Sequence, residues 1–174
     1  MSIAELLVSR HSIRKFLELP IEDEKIELLK KAVILSPTGN QKNHWDFIFI
    51  RNKSMLEKLS MSKTNSSKLI AGSHLVVVIV GDPTISDTWI EDCSIASILL
   101  QLQAHDIGLG SCWVQINKRQ HNNSTSSEQY VKQLLEIPES KGVLSIIAIG
   151  YPAEKKAPIR EPELLYHKIH NEKF

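Results

Sequence analysis

Cysteine is scarce in this chain: Cys93 and Cys112 are the only two in 174 residues. Two thiols over this length make no disulfide framework, and the expectation is a reducing, cytosolic compartment. An excess of charge of one sign is also missing. Lys plus Arg number 21 and Asp plus Glu number 20, a net charge of +1. That balance excludes the broad basic surplus of a dedicated nucleic-acid binder. No apolar run approaches the roughly 20 residues of a membrane-spanning helix, the longest being residues 75–80. Residues 1–10 contain Glu5 and no apolar signal core. No Gly-Lys-Ser/Thr phosphate loop occurs, and Gly108-Leu109-Gly110 lacks the third glycine and the preceding strand of a dinucleotide fingerprint. Seven histidines are scattered, with only His167 and His170 close together, and no cysteine or acidic set accompanies them at zinc spacing. The sequence therefore predicts no metal site.

What is present is ordinary globular composition, 42% hydrophobic and 24% charged. The length predicts one domain spanning residues 1–174. Ser2-Ile3-Ala4-Glu5 fits a capping box opening a short helix to about Ser9. Glu22, Asp23 and Glu24 suit the start of a second helix, with Ile26, Leu29, Ala32 and Val33 at helical spacing and Pro37 as its stop. Residues 47–50 read as a strand. Leu56 and Leu59 mark a helix after Asn52, and residues 60–68 read as surface loop or frayed helix. Residues 75–80 read as a buried strand ended by Gly81-Asp82-Pro83. Thr88-Trp89-Ile90-Glu91 fits a second capping box. The helix after it, to about Asp106, is apolar on nearly every face, with Ser94, Ser97, Gln101 and His105 as a narrow polar stripe. Such a helix belongs in a core or at a subunit interface. Gly108 is its expected C-terminal cap. A strand at 111–116, a polar loop at 118–127, a helix ending before Pro138 and a last strand at 143–149 follow. Pro152, Pro158 and Pro162 predict an extended arm over 151–174, with residues 164–170 helical. The order is α+β, with four strands and about five helices.

Four segments carry chemistry. In an extended stretch alternate residues share a side, so Arg10, Ser12 and Arg14 could present two guanidiniums and a hydroxyl to one anion. Read alone, that segment is more often a solvated basic turn. The loop from Ser36 to Trp45 is dense in amides, which offer both donors and acceptors to a heteroaromatic edge, although turns favour Asn and Gly anyway. Gly108-Leu109-Gly110-Ser111-Cys112-Trp113 would let backbone approach a planar ligand, or would simply be a helix cap and tight turn. Lys155, Lys156 and Arg160 form a second basic patch, by itself a solvated arm. Cys112 lies in an apolar setting that fits a structural thiol better than a nucleophile, and Cys93 falls within the apolar helix.

Taken in order, these segments resemble the nitroreductase family of flavin enzymes over nearly the whole chain. Arg10-His11-Ser12-Ile13-Arg14-Lys15-Phe16 resembles the family's Arg-Arg-Ser-x-Arg-x-Phe opening. Residues 37–45 resemble its Pro-Ser-x-x-Asn-x-Gln-Pro-Trp loop. Residues 89–113 resemble its central helix and Gly-Leu-Gly-x-x-Trp turn, and Ile149-Gly150-Tyr151-Pro152 its Gly-Tyr-Pro turn. The resemblance implies an α+β fold with a central, mainly antiparallel sheet flanked by helices, a long buried helix, and a C-terminal arm exchanged in a homodimer. It implies bound FMN, NADH or NADPH as transient donor, and a small-molecule electron acceptor such as a nitroaromatic or quinone, with no nucleic-acid or membrane partner. Arg10, Ser12 and Arg14 would hold the phosphate and ribityl chain, with His11 beside them. Lys156 and Arg160 would close from the arm. The backbone of Gly110 and Ser111 would lie near the reducible ring nitrogen, and Asn40, Gln41 and Asn43 would approach the ring edge, partly from the other subunit. No catalytic side chain is implied, because the flavin carries the chemistry. The sequence departs from the family at His44, where the loop usually has Pro. It departs again at Gln41 and Asn43, whose amides are exchanged, and at Ile98 and Leu99, where Gln-Asn is common. Reductive dehalogenation, flavin fragmentation and a non-enzymatic flavin store or sensor are the alternative roles on this fold.

Overall fold

Seven consecutive buried residues with no alternation of polarity require a strand covered on both faces. In the computed structural model, which describes residues 1–65 and 67–174, that strand sits inside a four-stranded sheet. The strands are β1 (Trp45–Ile50), β2 (Leu75–Gly81), β3 (Gly110–Gln115) and β4 (Gly142–Gly150). Their spatial order is β1-β2-β4-β3, and each neighbouring pair is antiparallel. The helices are α1 (Ile3–Ser9), α2 (Asp23–Ile34), α3 (Lys53–Ser60), α4 (Trp89–Asp106) and α5 (Ser127–Leu135).

The period-2 alternation of β2 divides the core. Leu75, Val77 and Ile79 pack with Ile26, Leu29 and Val33 of α2 and Leu100 and Ala104 of α4. Val76, Val78 and Val80 point the other way, against Leu56 and Leu59 of α3 and Val131 of α5. Each such Val, Leu or Ile withdrawn from water contributes about 1.5–3 kcal/mol before entropy is counted. Helices thus cover both faces of the sheet, as expected for the α+β class.

Local signals explain most element ends. The Ser2–Glu5 capping box forms in both directions. Asn52 and Ser126 accept backbone N–H bonds at the starts of α3 and α5. Gly108 adopts φ +81° after α4, the left-handed conformation that closes the helix.

Other expectations need correction. Thr88 makes no capping hydrogen bond at the start of α4. Its hydroxyl donates instead to Asp92, one turn into the helix, at 3.3 Å. Within the polar stripe of α4, Ser97 and Gln101 are buried and bond back to Cys93 O and Ser97 O, while Ser94 and His105 are half-buried. Ile95 and Ile98 are the large apolar residues of α4 left exposed. The first strand begins at Trp45, two residues earlier than its apolar run suggests. Helix α5 does end before Pro138 as expected, at Leu135, and is capped by Glu136, a left-handed residue at φ 56°. Residues 164–170 form no helix; the arm carries short 3-10 turns at Glu161–Glu163 and Tyr166–Lys168. Residue 66, inside the stretch expected as loop, lies outside the described residues. Among the described residues, no helix is long and apolar enough to cross a membrane.

Candidate functional site

The basic segment 10–17 is not a free turn. It threads between the start of β3 and the chain that leaves β4. Ile13 N–H donates to Ser111 O, Leu17 N–H to Tyr151 O, and Ala153 N–H to Lys15 O, each at 2.9 Å. Arg14 N–H donates to Glu154 Oε1 at 2.6 Å, which holds that carboxyl below the usual carboxylate range. Ser12 pairs with Ser111 as a parallel bridge, covering the outer edge of β3. The glycines of the two turns serve this seating. A Cβ on Gly110 would lie 2.8 Å from Ile13 Cβ, and one on Gly150 would lie 2.9 Å from the Phe16 ring. On that side the space left by Gly110 is filled by Ile13 rather than kept open for a ligand.

Seated in this way, the segment separates two cavities. The smaller, about 220 Å³, is lined by Ser9, His11, His105, Gly110, Lys155 and Lys156, among others. His11 Nε2 is buried there with no hydrogen-bond partner. Burial, Arg10 and His11 together push the His105 pKa down. Ser9 Oγ lies 2.8 Å from His105 Nε2. The larger cavity, about 400 Å³, is lined by Arg14, Lys63, Leu69, Cys112, Trp113 and Arg119, among others. Two polar loops bring Lys63 and Arg119 to it. Thr64 N–H and Oγ1 both donate to Gln120 O at 3.3 Å, and His121 Nδ1 lies 2.7 Å from Met61 O. Burial first, and then Arg119, push the Lys63 pKa down. Cys112 is 3% exposed and burial pushes its thiol up, as expected of a structural cysteine.

The amide loop lies elsewhere. Asn40, Gln41 and Asn43 have φ of 52°, 55° and 46°, so three non-glycine residues adopt the left-handed conformation. Strain of this kind persists only where surrounding contacts impose it, and it gathers at functional sites. Here the imposing group is Asp92, on the first turn of α4. Its carboxylate accepts Gly39 N–H at 3.1 and 3.2 Å, Thr88 Oγ1 at 3.3 Å, and faces His44 Nε2 at 2.8 Å. Burial alone would raise the Asp92 pKa, but His44, Gly39 and Thr88 together hold it down. His44, the departure from the family's Pro, is therefore a buried anchor.

The structure brings together His11, Gly110 and Lys156 at one cavity and sets Arg14 at the other. Ser12 and Ser111 lie between them, paired with each other. Arg10 is half-buried, with its charge acting on His105. Two groups of expected residues stand apart within one chain. Arg160 pairs with Glu163 in its own turn, at 2.6 Å, on an exposed arm. The amide loop sits at the start of α4 and Gly110 just beyond its end. With 18 residues between, those ends are about 27 Å apart. One apolar surface runs beside α4, with Ile3, Leu7, Ile34, Leu35, Ile95 and Ile98 exposed. Sequence reasoning missed Lys63, Arg119, His105 and Asp92. Lys63 and Arg119 stand in polar loops with no periodicity, and nothing in the sequence pairs them.

Comparison with known proteins agrees over the full length. A family profile described as "Putative TM nitroreductase" matches residues 2–173. A protein of Archaeoglobus fulgidus described as "Putative NADH dehydrogenase/NAD(P)H nitroreductase" is 32% identical over 156 residues, 87% of this chain and 86% of that relative. The solved structure of an FMN-dependent nitroreductase from Clostridium difficile R20291 is 36% identical, with a TM-score of 0.97 over 99% of this chain and 100% of that one. A second solved structure, from Parabacteroides distasonis ATCC 8503 and described in the same words as the archaeal protein, is 27% identical. Its TM-score is 0.88 over 98% of both chains.

Proposed function

The chain belongs to the nitroreductase family, and from that premise we propose that it is an NAD(P)H-dependent FMN oxidoreductase working as a homodimer. The observation that carries this reading is the ring of unanswered donors around the Gly110–Cys112 backbone. His11 Nε2 is buried without a partner. Among the described residues, the guanidiniums of Arg10 and Arg14 and the ammonium of Lys155 have no side-chain acceptor either. This donor set fits a dianionic phosphate attached to a polar chain, because charged donors recognise phosphate oxygens strongly. His11, Lys155 and Lys156, with Arg10 and Ser12, would hold the phosphate end at the smaller cavity. Arg14 would reach the polar chain from the other side, and the N–H groups of Gly110 and Ser111 would meet the ring. The chemistry that FMN supplies when bound is two-electron transfer, from NADH or NADPH to an electron-poor acceptor such as a nitroaromatic or quinone, with donor and acceptor taking turns. The chain's own work is to bind, orient and exclude water, so no acid–base pair is needed.

Separation within the chain supports the dimer. One chain cannot bring its amide loop and its Gly110 to one ligand across the length of α4. A second copy packed on the exposed apolar face of α1, α2 and α4 can supply Asn40, Gln41 and Asn43. That patch is of the kind that marks an association surface. The exposed arm would then carry Arg160 onto the partner. Purified protein should be yellow, and its flavin should bleach anaerobically with NADH or NADPH. Arg14→Ala should weaken FMN binding about ten- to hundredfold, the worth of one charge-assisted hydrogen bond. Colourless protein that takes up no added FMN would overturn the reading.

A further inference from the structure

The larger cavity carries more positive charge than the cofactor reading uses. Arg14 enters from the N-terminal segment, Lys63 from the loop before β2, and Arg119 from the loop after β3. Among the described residues, no carboxylate lines it. Glu154 is nearby but occupied, with Oε1 taking Arg14 N–H at 2.6 Å and Oε2 facing Lys156 Nζ at 3.2 Å. Among the described residues, neither Lys63 nor Arg119 has a side-chain acceptor. Like charges left together without a counter-ion destabilise a folded chain. Their proximity is nevertheless built in, because Thr64, Gln120, His121 and Met61 tie the two loops together by hydrogen bonds. Leu69 and Val114, which pack in the core under α3 and α5, supply apolar lining, and Trp113 Nε1–H is tied to Gln115 Oε1 at 2.8 Å. A volume of about 400 Å³ lies within the usual range of small-molecule sites.

We propose that Lys63 and Arg119 make this cavity an oxyanion-selecting pocket, so that the protein favours a substrate bearing a carboxylate or phosphate over its neutral counterpart. The proposal rests on the flavin oxidoreductase reading and adds a substrate class to it. An apolar body against Leu69 and Val114 with its anionic group between Lys63 and Arg119 satisfies both the apolar lining and the cationic residues. The same cationic residues could instead receive the 2′-phosphate of NADPH, since the chemistry recognised is shared.

The test uses FMN-loaded protein, wild type and the variant Lys63→Gln/Arg119→Gln. The first readout is the ratio of kcat/KM for 4-nitrobenzoate to that for its neutral methyl ester. The second is the ratio for NADPH to NADH. The variant should lower one ratio about tenfold or more, as loss of a charge-assisted contact requires. A fall in the first ratio identifies the acceptor as the source of the oxyanion, and a fall in the second identifies the donor. Both ratios unchanged, with flavin bound and turnover intact, overturn the proposal and leave the flavin reading standing. Loss of FMN from the variant also overturns it, because the two cations then hold the cofactor. Wild-type protein that binds no FMN defeats the flavin reading itself, and this inference with it.

Discussion

Replacing Asp92 by Asn tests the anchor of the amide loop. Asn keeps the shape of the side chain and one acceptor oxygen but removes the charge that Gly39 N–H, Thr88 Oγ1 and His44 share. The Asp92 side chain is 8% exposed and that of His44 is 0% exposed, so solvent does little to screen the pair. Breaking a buried pair by altering one partner costs about 3–5 kcal/mol. With one acceptor retained, about 3 kcal/mol is expected. At a urea dependence of about 2 kcal/mol per molar, the unfolding midpoint should fall by about 1.5 M. The pH dependence has a definite sign. The folded-state pKa of Asp92 lies below its ordinary value, so its contribution is complete above about pH 3.9 and disappears as pH falls through the depressed value. The gap between wild type and variant should therefore be full from about pH 5 to 7 and narrow below about pH 3.9. Urea titrations of both proteins at several pH values measure it. A midpoint shift near zero at pH 7, or a gap that stays constant into acid, would refute the anchoring role.

Two further outcomes are expected. Gly110→Ala should cost about 1–3 kcal/mol by over-packing against Ile13, lowering Tm by about 2–4 °C per kcal/mol, and should weaken FMN affinity as the basic segment lifts; a lowered Tm with unchanged flavin affinity would separate the segment's seat from the site. Burial pushes the Cys93 thiol up to about 12 and raises Cys112 as well, so a thiol reagent at pH 8 should find no fast-reacting cysteine in native protein and two in guanidinium; a rapid native thiol would contradict the packing of α4 and β3.

The sequence made legible those elements whose pattern and punctuation agree. Strand β2 is an unbroken β-branched run, α2 repeats its apolar residues at helical spacing, and Gly108 closes α4 in the expected conformation. The four resembling segments pointed to the family because their order survives divergence. What escaped was tertiary. The Thr88 capping box fails because the Thr88 backbone is not extended, with φ −91° and ψ 20°, and its hydroxyl turns to Asp92 instead. The burial of Ser97 and Gln101 within the polar stripe of α4 was not legible, because it depends on their bonding back to the helix backbone. The slot at Gly110 belongs to Ile13, a residue far away in the chain. Lys63 and Arg119 meet only because two loops without periodicity are cross-linked, and no local pattern encodes that meeting.

The seating of the N-terminal segment has a consequence for biosynthesis. Arg14 leaves the ribosome early, but its carboxylate partner Glu154 is 140 residues further on. At about 5–20 residues per second, roughly seven to thirty seconds separate the two. During that interval the basic segment has neither β3 nor the turn after β4 to lie against. The nascent chain must therefore complete nearly the whole sheet before the cradle exists, and capture of its ligand becomes one of the last events in the maturation of each molecule.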